Sequence, residues 1–236
     1  VLGTTVSIQN NYEAFSPYPV ATALDSILST DPSITENIEV VAEDLYRFKA
    51  VSTGIAGMFT ANRNYYCHSL LQYYYWPDSN NTRINNLSGH NGRDWDYVII
   101  AADPYIISNI PGYFALGVHK IAKKVAEGDA IPLLLTQWLP DSNQIAHFEE
   151  FSYRTADGSN HPIEVIPAGL AWNDLPSHKK DSSLTHPSPN GAYTAAASVY
   201  AHIYQQSASA SSYVYDDTIA NIAFTTCTQQ SNQTHY

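Results

Sequence analysis

The stretch from Tyr97 to Leu135 constrains the fold of this chain more than any other. Tyr97-Val98-Ile99-Ile100-Ala101-Ala102 is apolar on consecutive positions, as a central parallel strand covered on both faces must be. Between 112 and 127 the period changes. Phe114, Val118, Ile121, Ala122 and Val125 fall on one helical face, and Lys120, Lys123, Lys124 and Glu127 on the other. Gly128 reads as the stop of that helix. Ile131-Pro132-Leu133-Leu134-Leu135 is a second apolar run of strand length. A buried strand, an amphipathic helix and another buried strand make a parallel crossover unit, and the sheet of such a unit needs helices on both faces.

The rest of the chain repeats the alternation. Val6–Ile8 reads as the end of a first strand, and Pro19 to Leu28 as a helix with Val20, Leu24 and Leu28 four residues apart. Ile38–Val41 and Ile163–Ile166 read as short strands, residues 144–153 as a short helix, and Asn190–Gln205 as a long Ala-rich one. The stretch from Asp44 to Tyr75 is expected to be helical in part, interrupted by Gly54 and Gly57. Trp76 to Asp94 is a polar loop rich in Asn and Gly. Residues 206–236 begin polar and turn apolar at Ile219–Phe224, which reads as an extra strand or clip. No internal repeat is visible. The expected architecture is an α/β fold: a three-layer α/β/α sandwich around a central parallel sheet, flavodoxin-like, built from residues 1–205, with 206–236 an extension packed on the same domain. In such sheets ligands bind at the carboxyl ends of the strands. The candidate positions are then Gln9–Tyr12, Ala101–Pro104, Gln137–Trp138, Ala168–Trp172 and the loop before the last helix.

Charge narrows the partners. The 236 residues carry a net charge of -11 with only 11 Lys+Arg, so the chain repels phosphate backbones and anionic lipid, and neither nucleic acid nor membrane insertion is expected. Charged residues make up 14%, against roughly 25% in ordinary soluble domains. Ser, Thr, Asn, Gln and 18 Tyr must make the surface polar instead. That composition suits protein contacts and an extracellular or cell-surface location. No apolar run reaches the length of a membrane span. No signal peptide is visible, and the chain reads as a mature form with its leader removed. Cys67 and Cys227 lie 160 residues apart. In an exported chain they are expected to pair, the other reading being two buried thiols. Asn80, Asn86 and Asn232 head Asn-x-Ser/Thr triplets and are glycosylation candidates.

Four blocks then fall into a recognisable order. They are VSIQNNYEAFSPYP (Val6–Pro19), RDWDYVIIAADP (Arg93–Pro104), IEVIPAGLAW (Ile163–Trp172) and THPSPNGAYTAAASVYAHIY (Thr185–Tyr204). The last sets a histidine before Pro-Ser, a small turn and an Ala-rich helix. Together they resemble the SGNH-hydrolase (GDSL-like esterase) family, in particular its secreted bacterial members, over roughly Thr4 to Tyr204. The resemblance implies an esterase site with four parts. A serine in a Gly-Asn-Ser turn attacks the ester carbonyl, a histidine takes its proton, an acid three residues earlier orients the histidine, and further donors hold the oxyanion.

This chain departs from that pattern at several places. His186 stands at the histidine position, or else is a structural histidine capping the last helix. Three residues before it is Ser183, and Asp181 lies five before. The aligned nucleophile position is Asn11, whose amide cannot attack. Ala101 stands where the central strand offers Asn or Gln to the oxyanion. The glycine of the second block is Gly54 or Gly57. A shifted alignment puts Gly3-Thr4-Thr5 at the turn with Thr5 as nucleophile, at the expense of a first strand of only Val1 and Leu2. Ser7 lies inside the strand. Three positions lost together imply a non-catalytic member with a structural or binding role, self-associating into an extracellular polymer or surface layer. The alternatives are a carbohydrate esterase or deacetylase with an atypical nucleophile, and a carbohydrate-binding module. Tyr73-Tyr74-Tyr75-Trp76 suits sugar stacking or an interface. His147 and Glu149 at i and i+2 do not share a helix face, so no metal is expected, nor any cofactor. Asp216-Asp217 reads as a solvated turn.

The cysteine expectation is open to direct measurement. Intact mass after alkylation, with and without reductant, is expected to show two blocked thiols only after reduction; two alkylated thiols without reductant refute the bridge. A bridge closing so long a loop contributes roughly 3–5 kcal/mol on the chain-entropy account.

Overall fold

The computed structural model describes residues 2–3, 18–44, 49–50, 65–66, 70–75, 82–89, 92, 94–101, 107, 110–136, 142–180 and 188–231. Strands β1 (Leu2–Gly3), β2 (Glu43–Asp44), β5 (Tyr97–Ala101), β6 (Ile131–Leu135) and β7 (Glu164–Ile166) pair in parallel in the order β2-β1-β5-β6-β7. A separate antiparallel ribbon joins β3 (Lys49–Ala50) to β4 (Tyr65–Tyr66). The helices are α1 (Tyr18–Thr30), α2 (Leu70–Tyr75), α3 (Thr82–Asn86), α4 (Pro111–Ala126), α5 (Ser142–Asp157), α6 (Ala168–Asn173), α7 (Pro189–Tyr204) and α8 (Asp217–Ser231). The chain is thus a mixed α/β fold with a parallel sheet.

β5 and β6 run side by side over five residues, from Tyr97 opposite Ile131 to Ala101 opposite Leu135. Side chains alternate along a strand, and the core divides accordingly. Ile99, Ala101, Leu133, Leu135 and Ile166 pack with α1, α6, α7 and α8. Val98, Ile100, Leu134 and Val165 pack with α4 and α5 through Phe114, Val118, Ile121, Ile145 and Phe148. This is why the strands read as continuous apolar runs. Pro111 opens α4 at its first position, where its missing N–H is not needed.

Helix α7 is buried on nearly every side, with Ala192, Ala195, Ala196, Ala197 and Ala201 among its interior residues. Its small side chains let α1 and α8 come close. Ser188 caps it, accepting the Gly191 N–H at 3.0 Å. Near its other end Tyr200 donates to the Asp31 carboxylate, and Gln206 donates to the same oxygen at 3.1 Å. Ser212 N–H donates to the Thr30 carbonyl at 3.1 Å. These bonds tie residues 206–213 to the end of α1.

Four local expectations change. The second strand is Glu43–Asp44 rather than Ile38–Val41; Ile38 and Val40 instead pack against the core without strand pairing. The segment 219–224 is part of helix α8, because Ile219, Ala220, Ala223 and Cys227 recur at helical spacing and are all buried; Asn221 and Thr225 face water. The polar loop contains the short helix α3. Gly128 does not end α4 by a left-handed turn. Asp129 takes the positive φ of 60°, and Gly128 is required by a close approach: a Cβ there would lie 2.1 Å from the Ser88 carbonyl oxygen.

Gly128→Ala is therefore expected to destabilise the fold by several kcal/mol, since a whole backbone segment must shift. Asp129→Gly, which relieves a left-handed residue, should be close to neutral. Urea unfolding of both variants checks the contrast; an inverted order refutes this account of the turn.

Candidate functional site

The carboxyl edge of the sheet is a level row. Gly3 lies opposite Ala101, Ala101 opposite Leu135, and Leu135 opposite Ile166. Ala101 is completely buried, and its methyl group belongs to the core shared with Leu133 and Leu135. It offers an oxyanion no side-chain donor. The other positions singled out for this site lie outside the described residues: Asn11, Asp181, Ser183 and His186, together with Thr5, Ser7, Gly54 and Gly57. The register nevertheless bears on the alignment. The edge row meets the first strand at Gly3, so Thr5 follows it by two residues and Asn11 by eight.

Thr136 continues β6 at this edge and is buried. Its hydroxyl donates to the Ile166 carbonyl and accepts the Gly169 N–H, both at 3.1 Å. That arrangement fixes the β7–α6 turn and leaves the hydroxyl hydrogen committed. Trp172 and Ala168 of α6 are buried in the core. Asn190 donates to the Lys179 carbonyl at 2.8 Å, joining the start of α7 to the residue before Lys180.

Next to Thr136 the sequence reading passed over a group. Glu149 is 4% exposed, and neither of its carboxyl oxygens has a hydrogen-bond partner among the described residues. Burial pushes its pKa up to about 8. The Thr136 hydroxyl is near enough to ease this, but its hydrogen serves Ile166. A charge on Glu149 would be felt by Tyr153 on the same helix and Cys227 on α8. The signal was available: Ile145, Phe148, Ser152 and Ala156 form the inward face of α5, and position 149 falls within it. His147, two residues away, is exposed, so the two side chains point apart. No group of three His, Cys, Asp or Glu among the described residues is placed to hold a metal.

A second concavity, of about 1020 Å³, opens at the opposite, amino edge of the sheet. Leu24, Leu28, Val98 and Ile203 form apolar walls, and Trp95, Tyr97 and Tyr204 add rings. The Trp95 indole donates to the Asn86 carbonyl at 2.7 Å. Glu36, Asp94, Asp96 and Asp129 stand around it, and no basic residue is among its described lining. Burial first, then the charges of Glu36, Asp31 and Asp96 with Tyr97, raise the Tyr204 phenol above its ordinary value.

Of the remaining expectations, Cys227 is buried with its sulfur 3.5 Å from the Ser198 carbonyl oxygen, and Cys67 lies outside the described residues. So do Asn80 and Asn232, while Asn86 is half-buried at the end of α3. Asp216 is more than a solvated turn: it caps α8 by accepting the Ile219 N–H at 3.1 Å and pairs with Lys179. Tyr74 and Tyr75 meet edge to face at 5.3 Å, and Tyr75 is 54% exposed. No helix among the described residues is long and apolar enough to cross a membrane.

No family model and no curated protein matches this sequence. Among solved structures, a DUF4886 family protein from Bacteroides uniformis is similar in fold, with a TM-score of 0.52 at 12% identity over 65% of this chain and 69% of that one.

The Glu149 environment makes stability depend on pH in a defined direction. Below about pH 4.5, the ordinary glutamate value, the carboxyl is protonated in both folded and unfolded chains. As pH rises toward 8, the unfolded chain releases the proton and the folded one keeps it, so stability falls through that window. Glu149→Gln removes the ionisable group. Relative to wild type it is expected to gain a few kcal/mol between pH 5 and 8, read from urea midpoints at the two pH values. A difference that does not change with pH refutes a buried, neutral Glu149.

Proposed function

We propose that this chain is a non-catalytic protein of the SGNH-hydrolase type. It is built as a three-layer α/β/α sandwich, exported to the cell surface, and works by associating with copies of itself in an extracellular layer or polymer. The observation that carries the loss of catalysis is Ala101. It stands at the end of β5, wholly buried, and the resemblance assigns an oxyanion donor to that position. The loss of one such donor typically costs about 100- to 1,000-fold in rate. The low charge and the abundance of Tyr support a surface built for protein contact.

A second reading is a carbohydrate esterase with Thr5 as nucleophile. The register favours it over one through Asn11, since Gly3 is level with the end of β5. In that reading Thr5 attacks the acetyl carbonyl, and His186 takes the hydroxyl proton and returns it to the leaving sugar oxygen.

One assay decides between them. Purified protein is tested on acetyl esters, alongside Thr5→Ala and His186→Ala, with a fluorophosphonate probe as a parallel readout. The expected result is hydrolysis at background in all three proteins and no labelling. Wild-type turnover abolished in both variants overturns the non-catalytic reading and establishes the esterase.

A further inference from the structure

The amino-edge groove and the outer face of α4 match each other in chemistry. Ile110, Tyr113 and Leu116 are 42%, 51% and 44% exposed, an unusual concentration of large apolar side chains on one helix. At helical spacing the same stripe continues into Lys120 and Lys123. Lys120 lies 5.7 and 5.9 Å from the ring centres of Tyr74 and Tyr75, which extends the patch sideways onto α2. Lys124 is already paired with Glu127 at 2.7 Å. The stripe is thus apolar along one half and basic along the other. The groove is apolar at its walls and acidic around them.

We propose that the outer face of α4 in one copy docks into the amino-edge groove of another, so that the chain associates head to tail. This rests on the self-association proposed above and names the surfaces that perform it. Three arguments choose a second copy as the occupant. First, the signs are complementary: three of the chain's 11 basic residues fall between 120 and 124, and the groove is bordered by Glu36, Asp94, Asp96 and Asp129. Second, two copies of a chain with net charge -11 repel, so stable contact forms where opposite signs meet. Third, the apolar half of the stripe cannot reach the groove of its own chain. The groove lies beyond the last turn of α4, against Gly128 and Asp129, whereas Tyr113 stands 15 residues before Gly128, about 22 Å up the helix. Because the two surfaces differ, each copy keeps one of each free, and the contact propagates into a ring or an open chain.

Two surface variants separate the halves. Leu116→Asp spoils the stripe and leaves the groove. The double variant Asp94→Lys with Asp96→Lys reverses the groove rim and leaves the stripe. All substituted positions are exposed, and circular dichroism confirms folding; Tyr113→Asp replaces Leu116→Asp if that variant does not fold. Sedimentation velocity over a range of concentrations is the readout. Wild type is expected to grow beyond a dimer. Each variant alone is expected to stay at the 26.1 kDa monomer, and an equimolar mixture should form a dimer and nothing larger, since one stripe and one groove remain. Wild-type growth that both variants retain overturns the proposed surfaces but leaves self-association standing. A wild type that is monomeric throughout overturns both.

Discussion

The burial of α7 is the constraint on which the rest of the molecule depends. A helix enclosed by the sheet on one side and by α1 and α8 on the others can carry no charge and little bulk. Its interior residues meet this with alanines, and with Thr194 and Ser198, whose hydroxyls donate back to the helix's own carbonyls. Tyr193 and Tyr200 are the exceptions in size. Tyr200 spends its hydroxyl on Asp31, which lets a buried carboxylate hold the end of α1 and the start of the C-terminal extension together. The same helix begins at Ser188 and Pro189, immediately after the segment that carries His186. The packing of the core therefore fixes where α7 begins, its cap Ser188 two residues after His186 in sequence.

The elements that periodicity could find were those whose burial is uniform along their length. β5, α4 and β6 were legible because each residue's environment follows from its position in the repeat. So was α7, whose alanines carry no other meaning. The short pieces were not legible, because two residues of strand have no period. β2 was misplaced onto Ile38–Val41, residues that are apolar for packing reasons and not for pairing. α8 looked like a strand because Ile219 to Phe224 was taken as a run, when the polar Asn221 marks the outer side of a helix. Gly128 drew attention as a helix stop for the correct reason, its lack of a side chain, but the shortage of space comes from Ser88 and not from φ.

The candidate site was legible as chemistry and less so as geometry. Sequence blocks named residue types at strand ends, and Ala101 is the last residue of β5. What periodicity could not weigh was the register of β1, which depends on pairing with β5 rather than on any local pattern. Nor could it weigh Glu149. A carboxylate on the inner face of a helix breaks the apolar repeat, and such a break is invisible if the residue is read only against its sequence neighbour His147. Buried polar groups without partners are costly, and Glu149 carries the heaviest such cost, since its group would be charged in water, unlike the buried hydroxyls of Thr155 and Tyr193.

The two edges of the sheet give this architecture two independent surfaces. A strand of five residues separates them by roughly 16 Å, and substitutions that far apart act additively when they share no partners. At the carboxyl edge the side chains are small or committed: Ala101 has no polar group, and the Thr136 hydroxyl holds the β7–α6 turn. At the amino edge Trp95 and Tyr204 pack against the core, while Asp94, Asp96 and Tyr97 are exposed. The fold's stability rests on the layer between the edges, where β5 and β6 are sealed by α4 on one side and α7 on the other. The loss of catalysis and the self-association proposed above would fall on opposite edges of the sheet, with that layer between them.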